Sequence, residues 1–161
     1  MSQINDEVMA VLRQAMAREA QAAEYYGRSA EQVVDARGRD LLRQLADFER
    51  YHYVGLQEQH RALAHGQVPP PYVGRELAPG PEAAVDGRDA HGLETALEVL
   101  TLALEAERAA QARYEELAAE TEVMALQSLF HRLAHEELVH LRILNDEFYS
   151  LSNRGVWLWG D

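Results

Sequence analysis

Glu49 and His52, in the stretch Phe48-Glu49-Arg50-Tyr51-His52, form a Glu-x-x-His pair, and Glu137 and His140 form a second one. Residues three apart on a helix share a face, with Cβ atoms about 5–6 Å apart, so a carboxylate and an imidazole at that spacing can close on one cation. One such pair carries little weight, because 161 residues with 19 Glu and 7 His hold roughly one by chance. The two pairs, however, sit in matched surroundings. An offset of 88 residues lays Glu19 on Glu107, Ala22 on Ala110, Tyr26 on Tyr114, Leu41 on Leu129, Leu45 on Leu133, Glu49 on Glu137 and His52 on His140, without a gap. Each copy therefore carries Glu-x-x-Ala-x-x-x-Tyr and, 30 residues after its glutamate, Glu-x-x-His.

The chemistry of that set follows from where its acids fall. Glu19 lies between Met16 and Ala22, and Glu107 between Leu104 and Ala110, on apolar stripes that should face a core. Burying an unpaired carboxylate is costly, so a cation is expected among them. Four carboxylates balance two divalent ions, and neutral imidazoles complete the shells. The candidate ligands are thus Glu19, Glu49, His52, Glu107, Glu137 and His140. Glu136 heads only Glu-x-x-Val, so Glu137 is preferred to it. His60, His65, His91, His131 and His135 have no repeated partner and are read as surface or packing residues. Oxygen-rich shells with a minority of imidazole suit iron or manganese better than zinc or magnesium.

These residues need long helices to hold them. Apolar positions at three-and-four spacing predict a helix from about Asn5 to Arg37, with Gly38 as its stop and Asp40 as the N-cap of a second helix that ends near Gly66. Residues 66–92 contain all five prolines, which excludes a long element there. A third helix is expected from about Leu93 to Glu120, and a fourth from about Glu122 to Ser150, capped by Thr121. Short joints make antiparallel hairpins. The reading is all-α: one domain over 1–161, with hairpin 1 at about 5–65, a crossover at 66–92, hairpin 2 at about 93–150 and a short extended tail at 151–161. Trp157 and Trp159 of the tail are expected to pack back onto the bundle.

Composition narrows the function classes. A net charge of −12 argues against nucleic acid and against anionic membrane surfaces as partners. No apolar run approaches a membrane span. There is no cysteine, hence no disulfide or cysteine-held iron centre, and Met1–Ala10 lacks the basic-then-apolar pattern of a signal peptide. A cytoplasmic location is the expectation.

With its paired Glu and Glu-x-x-His motifs, the sequence resembles the ferritin-like di-iron carboxylate proteins, and among them the rubrerythrin group, over both hairpins. The resemblance implies a ferritin-like four-helix bundle holding two iron ions, or manganese or a mixed pair. It makes Glu19 and Glu107 one-metal carboxylates and Glu49 and Glu137 bridging ones, gives His52 and His140 one iron each, and places Tyr26 and Tyr114 beside the ligands. It implies an oxidoreductase reacting with peroxide or O2 in oxidative-stress defence, working as a homodimer, with domain swapping across the crossover as one form. Three departures bear on this. Without cysteine the chain lacks a rubredoxin-type domain, so a separate protein must donate electrons. The additional third-helix carboxylate of peroxide-reducing members is absent, with Ala103, Leu104, Ala110 and Gln111 in that region. Arg50 stands where bacterioferritins carry a haem-ligating Met, so haem is not implied. The alternatives are a ferroxidase that stores or transfers iron, and a helical interaction module whose site is empty or holds zinc.

Overall fold

The computed structural model describes the backbone of residues 2–84 and 92–161, with side chains from Asp6 onward. Four long helices, α1 (Ser2–Gln32), α2 (Ala36–Ala64), α3 (Leu93–Glu120) and α4 (Met124–Arg154), make an all-α four-helix bundle, and a 3-10 turn at Pro81–Ala84 lies in the crossover. α1 packs along α2 and α3 along α4, as two hairpins. None of the described helices is long and apolar enough to cross a membrane.

The helix ends differ from the expectation in three places. α1 stops at Gln32 and Asp35 is the N-cap of α2, accepting from the amides of Arg37 at 2.8 Å and Gly38 at 3.4 Å. Gly38 and Asp40 lie inside α2. Gly38 is there because the Trp157 indole lies against it, and the Asp40 carboxylate accepts from Gly80 N at 2.9 Å and Trp159 Nε1 at 2.7 Å. α4 begins at Met124 rather than Glu122, with Val123 at its N-cap, and Thr121 Oγ1 accepts only from the Val123 amide. Its far end runs one turn past Ser150 to Arg154, where Gly155 takes the left-handed conformation that closes the helix. The tail is correspondingly shorter than 151–161. Trp157 and Trp159 are buried, as their apolar character requires, and Glu147 accepts from Leu158 N at 2.9 Å.

Along the bundle axis the core is split. One apolar cluster gathers Tyr26, Leu41, Leu45, Leu100, Leu104, Leu144 and both tryptophans, and the other gathers Leu12, Leu56, Tyr114, Leu129, Phe130 and Leu133. On every helix the candidate ligands fall between residues of the first cluster and residues of the second. A polar layer is thereby sealed from both ends by hydrocarbon. The same assignment fixes the direction of each helix: α2 ends at the second cluster, whereas α3 begins at the first. Residues 66–92 must then travel the length of the bundle, about 42 Å for a 28-residue helix.

The described part of that stretch, residues 66–84, runs along α2. Gln59 donates to Pro70 O at 2.6 Å, Tyr51 OH to Val73 O at 2.5 Å, and Gly80 N to Asp40, three contacts spaced down α2 towards its N-terminus. Gly55 leaves room for the Tyr72 ring, which a Cβ would meet at 2.9 Å. The crossover is thus a strap pinned to its own hairpin.

The tight Gly38–Trp157 contact yields a direct test. In Gly38→Ala the new methyl would stand 2.5 Å from the indole and 2.8 Å from Val33 Cγ1. Overpacking of about 1–3 kcal/mol should outweigh the roughly 1 kcal/mol that Ala gains over Gly in a helix. Melting temperature should fall and tryptophan emission shift to the red. A higher melting temperature with unchanged emission would contradict the packing described.

Candidate metal centre

Each helix brings its ligand candidates inward by the same device: the polar residue occupies a position on the apolar stripe. Glu19 on α1, Glu49 and His52 on α2, Glu107 on α3, and Glu137 and His140 on α4 are all buried. His52 Nδ1 lies 2.9 Å from Glu137 Oε1, 3.3 Å from Glu49 Oε2 and 3.6 Å from Glu19 Oε1. His140 Nδ1 lies 3.6 Å from Glu49 Oε1, 3.7 Å from Glu137 Oε2 and 3.9 Å from Glu107 Oε1. Glu49 and Glu137 each turn one oxygen to one histidine and the other oxygen to the second. The donor atoms of Glu19, Glu49, His52 and Glu137 lie within 4.8 Å of one another, as do those of Glu49, Glu107, Glu137 and His140. The two groups share the two Glu-x-x-His carboxylates.

The donor set fits two cations on an observation independent of the motifs. Both oxygens of Glu49, Glu137 Oε1, Glu107 Oε2 and the Nδ1 atoms of His52 and His140 are buried without a hydrogen-bond partner. Buried polar atoms are ordinarily satisfied, and six unsatisfied ones facing a common centre lack a shared partner that a metal pair can supply.

Tyr26 and Tyr114 brace the outer carboxylates crosswise. Tyr26 OH on α1 donates to Glu107 on α3 at 2.6 Å, and Tyr114 OH on α3 donates to Glu19 on α1. Each hairpin thereby holds the other's acid. Burial, with the neighbouring carboxylates, pushes both phenols well above their ordinary range, so both remain protonated donors.

Burial and the repulsion of Glu49 push Glu19 well up, and burial with Glu137 and Glu49 does the same to Glu107. For Glu49 and Glu137 burial also pushes upward, but the close approach of a neighbouring acid and of both histidines outweighs it and holds them low. Burial works against charge on the histidines too, yet the surrounding carboxylates raise His52 well above its usual value and His140 to about 9. These directions favour protons on Glu19, Glu107 and both imidazoles when no metal is bound.

Glu136 is the residue that motif reasoning set aside, and it is buried beside the site. Its Oε2 lies 2.7 Å from His52 Nε2 and accepts from Tyr72 OH at 2.7 Å, while its Oε1 accepts from Arg75 N at 2.9 Å. It therefore fixes the ring of His52 from behind and ties the crossover strap to the centre. A signal for it exists in the repeat. Position 136 falls on Phe48, a core position in the first hairpin, so a carboxylate there had to be inside. His65, His131 and His135 are exposed and His60 is half-buried, none among the grouped donors; His91 lies outside the described residues.

The outer carboxylates border a cavity. Between α1 and α3 a cavity of about 450 Å³, walled by Ala22, Tyr25, Leu102, Ala106 and Ala110, has Glu19 and Glu107 at its floor.

Glu136→Gln should weaken metal affinity about 10–100-fold while leaving the six inner donors in place. Competition against a coloured chelator measures this. Unchanged affinity would reduce Glu136 to an anchor for the strap.

A family model described as Rubrerythrin matches residues 98–154, a stretch that contains Glu107, Glu137 and His140. No curated protein and no solved structure matches the chain. The match covers about a third of the chain, and with the four-helix bundle it supports a place in the ferritin-like di-iron superfamily.

Proposed function

We propose that this chain is a di-iron carboxylate oxidoreductase that reduces peroxide or O2, with manganese or a mixed pair as substitutes for iron. The observation that supports it most is the sharing of Glu49 and Glu137 between two four-residue donor groups inside an apolar bundle. A pair of iron ions held there would supply the two electrons that, with two protons, convert one peroxide to two waters.

The chain's own residues set the conditions for that chemistry. The α1–α3 cavity admits a small oxidant to the Glu19 and Glu107 side, and its alanine-rich walls limit water. Tyr26 and Tyr114 hold the outer carboxylates in place, and as neutral phenols they keep a hydrogen-bond donor next to each. The sealed layer between two apolar clusters excludes side reactions with solvent. Electrons come from a separate protein, since the chain has no cysteine to hold a second iron centre. A homodimer completes the proposal. The strap's contacts along its own α2 favour an unswapped one, with all six ligands from one chain.

Metal binding should release protons. Glu19 and Glu107 have raised values and hold protons that a metal must displace, and so do His52 and His140. Up to four protons should therefore leave near pH 7, and affinity should fall as pH falls. Calorimetry with Zn(II) in buffers of different ionisation enthalpy counts them. Release of fewer than two would count against this ligand set.

Anaerobic protein loaded with Fe(II) should be oxidised by H2O2 or O2 in stopped-flow mixing, with near-ultraviolet ferric absorption appearing as the Fe(II) is lost. Catalytic peroxide loss with an added reductant distinguishes this reading from iron storage, which instead calls for a large hollow assembly. If neither oxidant consumes the bound Fe(II), the redox reading fails.

A further inference from the structure

His52 and His140 hold equivalent places in the repeat, yet their outward nitrogens end differently. His52 Nε2 meets the Glu136 carboxylate at 2.7 Å. The equivalent of Glu136 in the other hairpin is Phe48, and its ring stands edge-on to His140 with centroids 4.4 Å apart. His140 is 1% exposed, its Nδ1 faces Glu49, Glu107 and Glu137, and among the described residues its Nε2 has no hydrogen-bond partner. Nor is Nε2 among the sealed unsatisfied atoms, so it reaches open space.

His140 also borders a second cavity, of about 300 Å³, on a different side of the centre from the α1–α3 opening. His140 and Phe48 line it together with Arg75, Arg132 and His135. The Arg75 guanidinium lies 5.5 Å over the rings of Phe48 and Tyr51, and no carboxylate pairs with it among the described residues. Arg132 has only a 3.5 Å approach to Glu136 Oε1. Two acids also line the wall. Glu136 has its oxygens engaged by His52, Tyr72 and Arg75 N, and Glu76 is exposed at the rim. With Nδ1 turned to the acids, the outward Nε2 of His140 is left without an acceptor beside a cavity that carries two guanidinium groups.

We propose that this cavity binds a small oxyanion, of the carboxylate or phosphate class, which accepts from His140 Nε2–H and is clamped by Arg75 and Arg132. The anion does for His140 what Glu136 does for His52: it fixes the ring and increases the electron donation of the imidazole from behind. Guanidinium groups favour such oxygens because their fork matches two of them at once. The chain thus carries one built-in carboxylate partner and one exchangeable one, and anion occupancy would make the two halves of the centre alike or unlike. The inference rests on the metal-centre reading only in taking Nδ1 of His140 as the inward atom.

The test uses full-length protein, both metal-free and loaded with redox-silent Zn(II), titrated calorimetrically with inorganic phosphate and separately with acetate. One site per chain is expected, weakened at least tenfold in Arg75→Leu, which keeps the hydrocarbon over the rings. Phe48→Glu supplies an internal carboxylate for His140 and should abolish anion binding. Absence of saturable binding of either anion would overturn the proposal. So would binding of unchanged strength in Arg75→Leu, because an anion bound only to the metal does not need that guanidinium. Zinc stoichiometry, measured on the same samples, reports on the metal centre separately: arginine-dependent anion binding without zinc uptake would sink the metal reading and leave this one standing.

Discussion

Four carboxylates gathered in one buried layer of a helical bundle are the constraint around which this chain is built. Unpaired, each costs several kcal/mol to bury, and together they repel. The bundle contains this cost in three ways. It splits the apolar core into two clusters and places the acids in the layer between. It braces Glu19 and Glu107 with phenols from the opposite hairpin. It also sets two imidazoles in the middle, where they carry protons when no metal is present. Protons can offset the acids when no metal is bound, and two divalent ions would offset the four carboxylates. Both states are compatible with the same apolar walls, so the bundle can remain folded in either.

The duplicated hairpin gives the centre an approximate two-fold symmetry, and the chain then departs from it outside the ligands. Glu136 and Phe48 are the clearest instance. One is an acid that locks His52 and the strap, and the other is a ring packed against His140. Strap residues Tyr72 and Arg75 donate hydrogen bonds to Glu136, whereas Phe48 receives only the Arg75 guanidinium over its ring. Repetition supplied a symmetric set of candidate ligands, and the single crossover, which can follow only one hairpin, made their surroundings unequal.

The strap and the tail perform related jobs at different heights. Both are tied to buried acids that are not among the six candidate ligands: Glu136 takes the strap near the centre, and Asp40 takes Gly80 of the strap together with Trp159 of the tail. The tail thereby closes the apolar end that α1 and α2 leave open, with Trp157 seated on Gly38. Polar anchors of this kind fix position, while the indoles, on the order of 150–250 Å² each, supply the buried area.

The sequence by itself determined the elements that repeat. Four helices, two hairpins, a long crossover, six donors and two tyrosines could be read because a helix places residues i, i+3 and i+4 on one face and because a gapless 88-residue offset matches them all. Local signals misplaced the first joint. Gly38 and Asp40 look like a stop and a cap, and only the tertiary structure shows that one makes room for Trp157 and the other binds the strap and tail, leaving Asp35 to cap α2. Glu136, Tyr72 and Arg75 were missed for the same reason. Their role comes from segments more than 60 residues apart meeting at one carboxylate, and no local periodicity encodes such a meeting. What is repeated along the chain can be read from it, whereas what breaks the repeat acquires its meaning only when distant segments are brought into contact.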